Sequence, residues 1–138
     1  MDPMEQLQLN LNFVWIILAA GLVFLMQAGF AALEAGLVRA KNSINVVMKN
    51  LVDICIVSII FLFIGFPLMF GKSYSGLVGT EGFFLTGFMG ENDPWLWAFI
   101  FFQIVFAGTA GTIVSGAVAE RITFRSYLAI SVLITLII

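Results

Sequence analysis

Residues 101–121, FFQIVFAGTAGTIVSGAVAER, decide the fold of this chain. They belong to a run, residues 94–119, that carries no charge and exceeds the roughly 20 apolar residues a helix needs to cross a bilayer. Within it Phe102 and Phe106 stand four apart, which puts them on one helical face, a turn from each other. Gln103 lies beside them, and an amide in hydrocarbon needs a partner or a wet cavity. Ala107, Gly111, Ser115 and Ala119 recur every fourth residue, a ridge of small side chains that a second helix can approach to backbone contact. Glu120 and Arg121 close the run. The segment reads as a helix that lines a membrane pathway on one face and packs on another. Spacing alone also fits phenylalanines that face lipid or pack between helices. Gln103 resists that account, because burying its amide unpartnered costs about 1–3 kcal/mol.

Composition agrees with a membrane protein. Hydrophobic residues make up 62% of the chain and charged residues 10%, with a mean hydropathy of +1.11, whereas a soluble domain carries about 25% charged residues. A net charge of −2 with six basic residues leaves no footprint for nucleic acid. Cys55 is the only cysteine and there is no histidine, so the chain has no intrachain disulfide, no thiolate metal site and no imidazole base. No cofactor is implied, and no cluster of acids sits at catalytic spacing, so an enzyme is not expected.

Working outward, residues 1–10 are polar and acidic, without the basic start of a secretory signal, so the first helix is expected to stay in the protein. That first span covers about residues 11–37, from Trp15 near an interface to Arg39 and Lys41. Its interior holds Gln27, which either bonds a neighbouring helix or faces a cavity, and Ala28, Ala32 and Gly36 form a second small-residue ridge. Glu34 lies near the basic end, where a salt bridge or interfacial cap is favoured over a site role.

A polar connection, residues 39–53, suits a tight turn with Asn42 or Ser43 capping the next helix. The second span then covers about residues 51–70, with Asp53 complementing the dipole at its start and Pro67 kinking or terminating it. Gly71, Gly76, Gly79, Gly82, Gly87 and Gly90 mark a loop over residues 71–94. Its segment GFFLTGFMG is apolar enough to fold back on the protein or lie at the membrane surface. The third span, about residues 95–119, enters through Pro94, Trp95 and Trp97. Residues 126–138 form an apolar run too short for an ordinary span, so continuation is expected. The fold class is an all-α integral membrane bundle of about three and a half spans.

Arg39, Lys41, Lys49, Arg121 and Arg125 fall on one side of that layout, and Lys72 falls on the other beside Glu81, Glu91 and Asp93. The positive-inside rule puts the first group in the cytoplasm and the N-terminus outside. Phe102 and Phe106 then occupy the outer half of the third helix. An acidic vestibule with aromatic faces favours a small cation.

Two stretches carry a family resemblance. Residues 24–50, FLMQAGFAALEAGLVRAKNSINVVMKN, resemble the first helix and following turn of the ammonium transporter, methylamine permease and Rhesus family. Residues 101–124, FFQIVFAGTAGTIVSGAVAERITF, are similar to its third helix. With the span pattern, the resemblance covers essentially the whole chain. It implies an external aromatic recruitment site and outer gate at Phe106, with Phe102 and Gln103 close to that site and Gln27 near the pore wall. It also implies homotrimers in the plasma membrane, each subunit holding its own pore through about eleven helices built as an inverted repeat. Ammonium or methylammonium would be the substrate and the bilayer the solvent. The family's pore histidines have no counterpart in this stretch.

Two functions fit that resemblance: ammonium transport, or ammonium sensing by a membrane domain coupled to a cytoplasmic regulatory or signalling partner such as a histidine kinase or diguanylate cyclase. A structural membrane bundle is the bland third. Sequence after the last membrane helix discriminates them, since a coiled coil with a catalytic domain marks a sensor.

Overall fold

The structure, a computed structural model, describes residues 2–73, 76, 78–86 and 93–137. Among them, four apolar helices build the molecule: α1 (Pro3–Leu37), α2 (Ala40–Phe70), α3 (Pro94–Ala117) and α4 (Phe124–Ile137). The first three are long and apolar enough to cross a membrane, and α4 is shorter. α2 and α3 pack together, and α1 and α4 each lie against both of them. This is the all-helical architecture expected from the apolar runs.

α1 starts at Pro3, ahead of the apolar run. Proline is pre-set for the first helical position, and the Asp2 backbone N–H donates to Glu5 Oε2 at 3.3 Å. At 35 residues the helix is about 50 Å long, so its first turns project past the hydrocarbon or the helix tilts.

The polar connection expected over residues 39–53 is instead helical. Val38 and Arg39 are extended, and α2 begins at Ala40 with Arg39 as its cap. Neither Asn42 nor Ser43 caps it; the Asn42 N–H bonds the Arg39 carbonyl at 2.7 Å. The reason lies in the spacing of the polar residues. Val46, Lys49, Asn50, Asp53 and Val57 are all buried, at intervals of one, three and four that make one helical stripe. They face the other helices, so the segment folds as part of the bundle. Lys49 is therefore a bundle residue and drops out of the orientation argument.

Pro67 does not stop α2. Residues Phe61–Gly65 form a π turn, in which the Phe66 N–H reaches back to the Phe61 carbonyl, and the helix continues to Phe70. A proline lacks the N–H for the regular ladder, and the wider turn before it accommodates the defect. Phe61, Phe66 and Ile100 form an apolar core here, and Phe99 meets Phe66 and Phe70 edge-on at 6.3 and 5.0 Å.

The loop turns back onto the end of α2, where the Gly79 N–H bonds the Leu68 carbonyl at 2.8 Å. A Cβ on Gly79 would stand 2.1 Å from the Pro67 carbonyl oxygen, so only glycine permits this approach. Phe83–Leu85 makes one 3-10 turn that buries Leu85 and sets the Phe84 ring 6.0 Å from Phe63. The first half of GFFLTGFMG thus folds back on the helices; Gly87, Gly90 and Glu91 lie outside the described residues.

α3 ends at Ala117, with the Val118 N–H shared between the Val114 and Ser115 carbonyls. Ala119 is therefore past the helix and not part of the small-residue ridge, which comprises Ala107, Gly111 and Ser115. The second ridge, Ala28, Ala32 and Gly36, lies on the exposed side of α1.

Candidate functional site: an aromatic pocket beside a buried polar junction

The helical spacing of α3 delivers its aromatic pair as expected, with Phe102 and Phe106 ring centroids 4.8 Å apart. Phe106 sits at the middle of the 24-residue helix, deeper than the outer half anticipated for it, with Phe102 one turn nearer the loop. Gln103 and Phe106 line one pocket of about 220 Å³ with Phe61, Ala107, Ile134 and Thr135. Among the described residues that line it, the side-chain N–H and O–H groups belong to Gln103 and Thr135. Phe102 lines a neighbouring groove with Trp15, Trp95 and Phe99. An electron-rich ring face with an adjacent amide is chemistry that can attract a small cation.

Gln27 is not brought to that pocket. It is buried in α1, where its Nε2 donates to the Thr112 hydroxyl of α3, while its Oε1 has no partner. Thr112 in turn bonds the Gly108 carbonyl at 2.9 Å. Gln27 also borders a groove between α1 and α2, so it both bonds a neighbouring helix and faces a cavity.

Toward the basic end the four helices meet in a buried polar junction. Glu34 of α1 accepts from Asn50 Nδ2 at 2.6 Å and from the Ser115 hydroxyl at 3.2 Å. It is 5% exposed and, among the described residues, makes no salt bridge, in place of the salt bridge or interfacial cap expected: its partners are Asn50 and Ser115. Asp53 is also not a helix cap. With α2 starting at Ala40, it lies deep in the helix, fully buried, accepting from the Ser131 hydroxyl of α4. The Tyr127 hydroxyl neighbours Asp53 and Ser115 without a well-formed bond to either. Lys49 completes the junction, its ammonium 5.5 Å above the Tyr127 ring.

Lys49, Asn50, Thr112, Tyr127, Ser131 and Thr135 are the residues that sequence reasoning overlooked. A signal was present. Tyr127, Ser131 and Thr135 recur every fourth residue and all are buried, as Lys49 and Asp53 do on α2, which is a polar stripe on one face of each helix. Beyond the junction, Glu120 closes the basic end by accepting from Asn42 Nδ2 at 2.7 Å and from the Arg39 backbone at 3.1 Å and its side chain at 3.3 Å. The Asn42 hydrogen bond, with those from Arg39, holds the Glu120 carboxyl below its ordinary value. At the other end Lys72 and Glu81 pair at 3.7 Å. Among the described residues no group of His, Cys, Asp and Glu could hold a metal ion.

Residues 14–138 match the model of the Ammonium Transporter Family. The ammonium transporter Amt2 of Archaeoglobus fulgidus is 47% identical over 135 residues, which are 97% of this chain and 28% of that protein. Amt2 of Methanocaldococcus jannaschii is 44% identical over 142 residues, covering 91% of this chain and 30% of its own length. A solved structure described as a sensor Amt protein superposes with a TM-score of 0.89 at 45% identity, over 96% of this chain and 33% of that one. The chain thus spans about a third or less of the length of these relatives. A family match over nearly the full chain, joined to the same helical architecture in a solved relative, shows that the chain belongs to the ammonium transporter family.

Proposed function

We propose that the chain forms the first part of a membrane pathway for ammonium or ammonia, with Phe106 and Gln103 at its recruitment site and Phe102 beside them. The observation that carries this reading is the pocket that Phe106 and Gln103 line together. Ring and amide recognise an ammonium ion by cation–π attraction and hydrogen bonding. The apolar walls then favour neutral ammonia over the ion, whose desolvation is costly. In this reading Gln27 braces α1 on α3 near the pore wall, and the basic residues Arg39, Lys41, Arg121 and Arg125 face the cytoplasm, with the N-terminus outside. The protein is a plasma-membrane homotrimer in which each subunit has its own pore through about eleven helices built as an inverted repeat. Replacement of Phe106 by Ala in the whole protein is expected to weaken ammonium selectivity. Unchanged uptake and binding in that variant would defeat the assignment.

A second reading is supported by the likeness to the sensor Amt protein: the same membrane domain reports ammonium to a cytoplasmic signalling partner. Ammonium-dependent activity of such a partner with no net ammonium flux in proteoliposomes identifies a sensor. Flux without it identifies a transporter.

A further inference from the structure

The polar junction has an imbalance of charge. Among the described residues, the titratable or charged groups that meet there are Glu34 from α1, Lys49 and Asp53 from α2, and Tyr127 from α4, while α3 contributes the uncharged Ser115. All four are buried, at 5%, 3%, 0% and 0% exposure. Two carboxylates against one ammonium leave one negative charge in excess, and Lys49 is in salt-bridge contact with neither carboxylate. An uncompensated ion inside a helical bundle is strongly unfavourable, so the junction needs one more positive charge.

Its hydrogen bonds show where. Both oxygens of Glu34 have donors, Asn50 on one and Ser115 on the other. Asp53 has Ser131 on Oδ1 and nothing on Oδ2. The Asn50 Oδ1, buried at 3% exposure beside Glu34, and the Tyr127 hydroxyl also lack partners. We propose that the Glu34–Asp53 pair is a proton-binding site that holds one proton, carried on Asp53 Oδ2. A proton there gives Asp53 a hydrogen to offer the neighbouring Tyr127 hydroxyl and leaves Glu34 and Lys49 as the junction's charges among the described residues. Glu34 also borders a groove that runs past Gly116 to Glu120 at the basic end, which gives the site a route for exchange. The site is distinct from the aromatic pocket and does not depend on the pocket's role.

Infrared spectroscopy of the purified protein at neutral pH, in H2O and D2O, tests this by reading the stretch of protonated carboxyl groups. Compared with the wild type, Glu34→Gln and Asp53→Asn are each expected to lose the signal of one protonated carboxyl, because one carboxylate and Lys49 then balance. Lys49→Gln is expected to gain one, because two carboxylates then need two protons. An unchanged signal in both amide variants, as a bound sodium or ammonium ion would give, overturns the proposal, as does no gain in Lys49→Gln. If one amide variant fails to assemble, the other and Lys49→Gln still predict opposite signs and decide the matter.

Discussion

At Gly111, α3 lies directly against Asp53 and Val57 of α2, and substituting it measures how tightly the junction is packed. A Cβ at this position would stand 3.0 Å from Asp53 Oδ2 and 3.2 Å from Val57 Cγ2. Both neighbours are fully buried, so neither swings aside without displacing others. One turn earlier, a Cβ on Gly108 would meet only Ile54, at 3.4 Å, an ordinary contact with a flexible side chain. Alanine gains about 1 kcal/mol of helix propensity over glycine at either site. At Gly111, overpacking costs about 1–3 kcal/mol and cancels or exceeds that gain. Gly108→Ala is therefore expected to be neutral or stabilising, and Gly111→Ala less stable than it by about 1–3 kcal/mol. Reversible unfolding in mixed detergent micelles gives both values on one scale. Equal stability of the two variants would refute the close approach of Asp53 to the α3 backbone. Gly111→Leu, with a whole side chain in the same space, is expected to disrupt packing outright; a normally assembled variant would contradict the geometry.

Thr112→Val removes the hydroxyl that accepts from Gln27 Nε2, leaves that amide wholly unpartnered, and is expected to destabilise by about 1–3 kcal/mol; the same unfolding measurement should find a smaller loss for the Gln27→Leu, Thr112→Val double variant. Glu120 is held below its ordinary value of 4.5 by Asn42 and Arg39, so its contribution is complete above that pH and lost as pH falls through the lowered value. Below about pH 4.5 the wild type should lose stability faster than Glu120→Gln, and parallel acid profiles for the two would exclude the clasp. Phe106→Ala and the three junction variants are read in transport and infrared experiments respectively.

The number of spans and the small-residue ridge of α3 were legible in the sequence, because long uncharged runs and four-residue spacing have few physical solutions in a bilayer. So was the face shared by Phe102 and Phe106, which helical periodicity alone fixes. The start of α2 was not. Lys49, Asn50 and Asp53 have the composition of a turn, and only the presence of Glu34, Tyr127 and Ser131 on the facing helices shows that they meet polar or aromatic neighbours inside the bundle. The same cause moved Glu34 from an interfacial ion pair to a buried acceptor and Asp53 from a helix cap to the centre of the junction. Gln27 and Phe106, both sequence candidates, were separated because each lies on a helix whose rotation is set by its neighbours. Local pattern determines which residues share a face, since periodicity acts within one helix. Which faces meet, and hence which polar groups find partners, depends on contacts across some 80 residues of chain, as between Glu34 and Ser115 at a separation of 81, and these the tertiary structure alone decided.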